Sequence, residues 1–217
     1  MIDLHTHTLL SDGDLLPSEL ARRAEEKGYG VIGMTDHADF SNYENVIKSL
    51  CRAASHINET MRIKMIPGVE ITHVNPREIP DLARMARQAG AKIVVVHGET
   101  IVEPVEKGTN RKALESDIDI LAHPGMLDKQ DAKTAAERKI SIEISGRAGH
   151  SFSNGHIARL WYEYGFPLVL NTDTHSPENL VDEKFAAELI ISAGVKPEDV
   201  QKVRDNSAAL AEKLLVK

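Results

Sequence analysis

Residues 1–13, MIDLHTHTLLSDG, carry His5 and His7 one residue apart, with Asp12 in the polar turn that follows. In an extended strand successive side chains alternate faces, so His5 and His7 share one face and can approach a single metal ion together. The stretch therefore reads as a strand with donor side chains at its carboxyl end. The rest of the chain repeats that unit.

Working outward, Pro17 opens a helix whose apolar positions include Leu20, Ala21 and Ala24, and Gly28 closes it. Val31–Met34 is then a short buried strand that runs into Thr35-Asp36-His37. A helix over about 43–59 precedes apolar runs at 63–66 and 68–71, the second of which holds Glu70. A helix over 81–89, capped by Gly90, leads to a strand at 92–96 and then His97; a short helix over 110–116 leads to 118–122 and His123. Helices at 131–138 and 155–164 precede strands at 140–144 and 167–170, and the last strand runs into Asp173 and His175. Further helices are expected at 181–193, 197–204 and 207–215.

Short, nearly all-apolar strands alternating with amphipathic helices predict an α/β fold with a parallel sheet covered by helices. Seven such units in one domain spanning residues 1–217 predict a closed or nearly closed barrel, with an open doubly wound sheet as the alternative. In either architecture ligands bind at the carboxyl ends of the strands. Six of the seven strands end in a His, Asp or Glu, and six of the ten histidines lie there, which random scatter would not produce.

Composition narrows the function classes. Apolar residues at 41% and charged residues at 27% are the balance of a folded globular chain. No apolar run reaches the roughly 18 residues of a membrane span, and the donor residues begin at once after Met1, so a cytoplasmic protein without a signal peptide is expected. The single cysteine, Cys51, excludes an intrachain disulfide and sits in a helical apolar pattern as a small packed residue. A net charge of −7 argues against a broad nucleic-acid footprint, although clustered divalent ions could still hold an anionic substrate locally.

The donors at the strand ends are His5, His7, Asp12, His37, Glu70, His97, His123, Asp173 and His175. Nitrogen and oxygen donors with no thiolate suit Zn, Mn or Fe, and nine are too many for one ion. At three or four ligands per ion with one bridging carboxylate they make two or three open sites, the arrangement of a catalytic cluster. Ions about 3.5–4 Å apart generate a hydroxide nucleophile at neutral pH and clamp phosphoryl oxygens during in-line displacement, so hydrolysis of a phosphate ester is the natural chemistry.

These residues resemble the PHP (polymerase and histidinol phosphatase) superfamily over essentially the whole chain. The motifs that carry the resemblance are His5-Thr-His7 with Ser11-Asp12-Gly13, Thr35-Asp36-His37, Pro67-Gly68-Val69-Glu70, His97, His123-Pro124 and Asp173-Thr-His175. The resemblance implies a distorted (β/α)7 TIM-like barrel holding three divalent ions. It assigns His5, His7, Glu70 and Asp173 to the first ion, Glu70, His97 and His123 to the second, and Asp12, His37 and His175 to the third. Some members have a histidine where Asp12 stands, so the resemblance implies either a harder ion or weaker binding at the third site here.

The glycine-containing loop at 145–154 follows the sixth strand, the one without a donor at its end. Arg147 in that loop is the candidate phosphate clamp, because guanidinium pairs bidentately with phosphate, and His150 is the candidate general acid. Lys107, Asn110 and Arg111 are further candidates for substrate binding. His73 and Asp36 are expected to support the ligands from behind, Asp36 by fixing an imidazole, and His56 to be solvated. The leading reading is a metal-dependent phosphatase acting on a small phosphorylated metabolite, histidinol-phosphate-like or a nucleotide. One alternative is a nuclease or nucleotide phosphodiesterase like the PHP modules attached to DNA polymerases. The other is a non-catalytic, RNA-binding barrel like the archaeal RNase P subunit.

Overall fold

The computed structural model describes residues 1–216. Its elements alternate as the apolar pattern demands: β1 (Ile2–Thr6), α1 (Pro17–Glu26), β2 (Val31–Met34), β3 (His37–Ala38), α2 (Tyr43–Thr60), β4 (Lys64–Ile71), α3 (Ile79–Ala89), β5 (Ile93–His97) and α4 (Thr109–Glu115). There follow β6 (Ile120–Ala122), α5 (Lys129–Arg138), β7 (Ser141–Ser145), α6 (Asn154–Tyr164), β8 (Leu168–Asn171), α7 (Glu183–Ser192) and α8 (Val200–Val216). Seven parallel strands run in the order β1-β2-β4-β5-β6-β7-β8, and the two-residue β3 pairs off this path with β4, His37 opposite Glu70. The sheet is a nearly closed barrel. Its last gap, between β8 and β1, is spanned by an isolated bridge of Thr6 with Thr174, by the bond from His7 N to Thr174 O at 2.8 Å and by that from Leu4 N to Asn171 Oδ1 at 2.9 Å.

Strand alternation sorts the core into two layers. In β5, Val94 and Val96 pack outward under the helices, whereas Ile93 and Val95 face the barrel interior and His97 continues that inward row. Gly68 in β4 permits the close approach of β5, since a Cβ there would lie 2.2 Å from the carbonyl oxygen of Ile93.

The far C-terminus differs from expectation. The two helices expected at 197–204 and 207–215 are one continuous helix, α8, preceded by a single turn at Pro197–Asp199. Asn206 and Ser207, which read as a break, are held within it: Asn206 Nδ2 donates to the carbonyl of Leu168, the first residue of β8, and Ser207 Oγ bonds back to Val203 O. Leu210, Ala211 and Leu214 of α8 join Leu4, Ile66, Ile93, Val95, Ile120 and Val169 in the inner core, closing the barrel at the end opposite the donor residues. Leu214→Ala should therefore lower stability by about 2–5 kcal/mol, read as a shifted denaturant midpoint at constant m-value. A shift under a few tenths of a kcal/mol would show that α8 is not a structural plug.

Candidate metal centre

All nine donors predicted from the strand ends converge at the carboxyl-terminal mouth of the barrel. His5 and His7 turn their Nε2 atoms to within 3.1 Å of each other. Glu70 is fully buried between groups: Oε1 lies 3.3 Å from His5 Nε2, from His97 Nδ1 and from His123 Nε2, and Oε2 lies 2.7 Å from His37 Nδ1. Asp173 Oδ1 lies 3.2 Å from His7 Nε2, and Oδ2 lies 3.8 Å from His123 Nε2. Asp12 Oδ1 stands 3.5 Å from His37 Nε2 and 3.2 Å from His175 Nε2. Their ligand atoms form overlapping groups that could each hold an ion: His5, His7 and Glu70; His5, His123 and Asp173; Glu70, His97 and His123; His7, Asp12, His37 and His175.

Local backbone explains the convergence. His123 and Asp173 both sit just past strand ends with positive φ, 28° and 53°, a conformation that non-glycine residues adopt at a cost and that is concentrated at functional sites. Gly13 lets the Asp12 turn fold back on β1, because a Cβ there would meet the carbonyl of His7 at 2.5 Å.

The residues fit bound ions. Glu70 Oε1, Asp173 Oδ1, His97 Nδ1 and His175 Nε2 are buried and have no hydrogen-bond partner among the described residues, a costly state that coordination would relieve. Burial opposes ionisation of Glu70 and Asp173, but His5 and other imidazoles outweigh it and hold both carboxyls well below their usual range. Burial pushes His7 down to about 3. At His97 burial is outweighed by Glu103 and Glu70, which raise it to about 9, so an ion must displace a proton there and loading weakens in acid.

Arg147 and His150 line the same cavity, of about 260 Å³, with Asp12, His37, Glu103 and His175. Arg147 Nη1 donates to the carbonyl of Asp173 at 3.2 Å and also contacts His175 Nδ1, while its side chain stays about one-third exposed. His150 stacks on His123 at 4.2 Å between ring centres, pairs through Nδ1 with Thr100 Oγ1 at 2.8 Å, and is pushed by burial and by His123 down to about 4.

Lys107, Asn110 and Arg111 do not line this cavity. Arg111 is paired with Asp128 and Asp131 at 2.8 Å each, Asn110 is spent on the Glu99 amide and the Pro124 carbonyl, and Lys107 is exposed. Asp36 fixes no imidazole; its carboxylate takes Thr8 N at 2.7 Å and Ser11 Oγ at 2.8 Å, pinning the turn that presents Asp12. His73 lies beyond the end of β4 in a left-handed turn, 3.4 Å from Glu103, and lines the cavity, whereas His56 is exposed on α2.

Two carboxylates escaped the sequence reading. Glu103, in the loop after β5, sets Oε2 3.0 Å from His97 Nε2 and Oε1 3.4 Å from His150 Nε2. Glu143, in the middle of β7, sets Oε2 2.8 Å from His5 Nδ1. The signal for Glu143 was present as a lone acidic residue in an apolar strand; Glu103 lies in an irregular loop that offers none.

A parallel α/β barrel whose strand ends converge His and carboxylate donors into a candidate polynuclear metal centre defines a class of barrel proteins with their chemistry at the carboxyl-terminal face. Within that class the chain belongs to the PHP domain family, whose model matches residues 3–123. It is 46% identical over 201 residues, 92% of each chain, to an uncharacterised protein of Methanocaldococcus jannaschii. It is 23% identical over 219 residues to a protein of Syntrophotalea carbinolica named "Probable phosphatase", covering 92% of this chain and 90% of that one. A chain in the cryo-EM structure of archaeal ribonuclease P with mature tRNA has the same fold, with a TM-score of 0.70 at 17% identity over 99% of this chain and 91% of that one.

Proposed function

We propose that the protein is a metal-dependent phosphoesterase, acting as a phosphatase on a small phosphorylated metabolite of the histidinol-phosphate or nucleotide kind. The observation that carries this reading is the sharing of Glu70 between donor groups, two of whose members, His37 and His97, line a cavity that also holds Arg147. His5, His7, Glu70 and Asp173 would hold a first divalent ion, Glu70, His97 and His123 a second, and Asp12, His37 and His175 a third, with Zn, Mn or Fe matching the donor set. When bound, such ions bring a water molecule to a pKa near neutrality as nucleophile and neutralise phosphoryl charge. Arg147 orients the phosphate by charge-assisted hydrogen bonds, and His150 Nε2, facing the cavity, is the proposed proton donor to the leaving oxygen. The negative charge of a bound phosphate ester favours the protonated imidazole that this role needs.

The likeness of fold to a chain of archaeal ribonuclease P supports a second reading, RNA binding, which the net charge of −7 disfavours. After reconstitution with Mn or Zn, elemental analysis should find two to three ions per chain, and a panel of phosphomonoesters should include a turned-over substrate. Fewer than two ions, or RNA binding without hydrolysis of any ester, would overturn the proposal.

A further inference from the structure

β7 carries none of the nine donors, yet one of its residues faces the centre. Ile142 and Ile144 pack in the outer layer, which turns Glu143 between them into the barrel interior, where it is fully buried. Its Oε2 accepts from Nδ1 of the equally buried His5 at 2.8 Å and from Nδ2 of Asn171 at 2.8 Å. Asn171 in turn accepts the Leu4 amide, so the network is anchored on both sides of the barrel seam. The opposite edge of the His5 ring points at the donors: Nε2 is 3.3 Å from Glu70 Oε1. Burying a carboxylate costs free energy, whereas burying the apolar residue the strand pattern calls for is favourable, so packing alone does not account for it.

We propose that Glu143 is a positioning residue for the metal centre. By accepting Nδ1–H it fixes the His5 tautomer, leaves Nε2 as the free lone pair directed at Glu70 and Asp173, and raises the basicity of that nitrogen. Asn171 keeps the carboxylate in line. Every strand of the barrel then serves the centre, β7 through an outer contact instead of a ligand.

This inference rests on the metal centre and not on the substrate, so its test is metal affinity. Chelator competition with Mn(II) or Zn(II) on Glu143→Gln should show one ion bound roughly 10- to 100-fold more weakly, while the unfolding transition of the metal-free protein stays close to that of the unsubstituted chain. Glu143→Asp, which keeps the charge with a shorter reach, should recover part of the loss. A folded Glu143→Gln protein with unchanged affinity for every ion would overturn the assignment. A seam-only role would lower the unfolding transition and leave affinity unmoved, which also overturns it. Should the variant not fold, nitrogen NMR of the unsubstituted, metal-loaded protein decides the question. His5 should be protonated at Nδ1 and ligated through Nε2, and the opposite tautomer would refute the role. If the unsubstituted chain binds no ion, the centre itself fails, a result distinct from failure of Glu143 alone.

Discussion

Glu70→Gln is expected to strip the protein of both its turnover and its tightest metal binding. Glu70 stands within 3.3 Å of His5, His97 and His123 through one oxygen and within 2.7 Å of His37 through the other, so a single carboxylate faces donors of more than one proposed ion. Its negative charge offsets repulsion between neighbouring cations, and an amide removes that charge from both sites together. An amide also turns an NH2 group toward donors that need an acceptor. With several kcal/mol of charge stabilisation at stake, kcat/KM should fall by about 10³-fold or more, with ions lost at the same time. His175→Ala, which removes a ligand from the outermost donor group alone, should cost less on both counts. A Glu70→Gln protein with full metal content and near-normal turnover would show that Glu70 does not bridge.

Arg147→Ala should raise KM and lower kcat/KM for a phosphomonoester by roughly 10²-fold, because a charge-assisted hydrogen-bonded contact contributes about 2–3 kcal/mol. Arg147→Lys should recover only part of that, since a point charge cannot reproduce two parallel hydrogen bonds. A phosphodiester, with one charge fewer, should suffer less. The contacts of Arg147 with the Asp173 carbonyl and with His175 add a requirement that the bare sequence did not suggest. His175 Nδ1 cannot both donate to that carbonyl, 2.9 Å away, and accept from the guanidinium, so a His175 that ligates through Nε2 and donates through Nδ1 would give up its contact with Arg147. Metal content measured alongside kinetics separates the two roles: unchanged ions with lost kcat/KM mark a phosphate clamp, whereas equal losses on monoester and diester with a missing ion mark a brace for His175.

The barrel and the gathering of nine His, Asp and Glu side chains at its mouth were legible in the chain because both are written in short-range pattern. Apolar runs such as Ile93–Val96, ending in His97, specify a buried parallel strand and at the same time deliver a donor to its carboxyl end. HxH on β1 needs nothing beyond strand alternation to place two imidazoles side by side. Local signals also set the helices, with Pro17 and Gly90 marking a start and a stop.

What surrounds the donors was decided by contacts between distant parts of the chain. His5 and Glu143 are 138 positions apart, and nothing local says that the inward face of β7 meets β1 across the barrel. Glu103 reaches His97 and His150 only because of the path its loop takes, and Asp36 serves the turn before Asp12 instead of a ring. Arg111 has the composition of a phosphate ligand, but two aspartates of the next loop and helix claim its guanidinium first. The continuity of α8 likewise follows from what it plugs: the inner core of the barrel rewards an unbroken helix that carries Leu210 and Leu214 on one face, overriding the local preference of Asn206 and Ser207 to end it. Pattern within a few residues chooses the element and its face, whereas the partner of a buried polar group depends on which elements the closed barrel brings together.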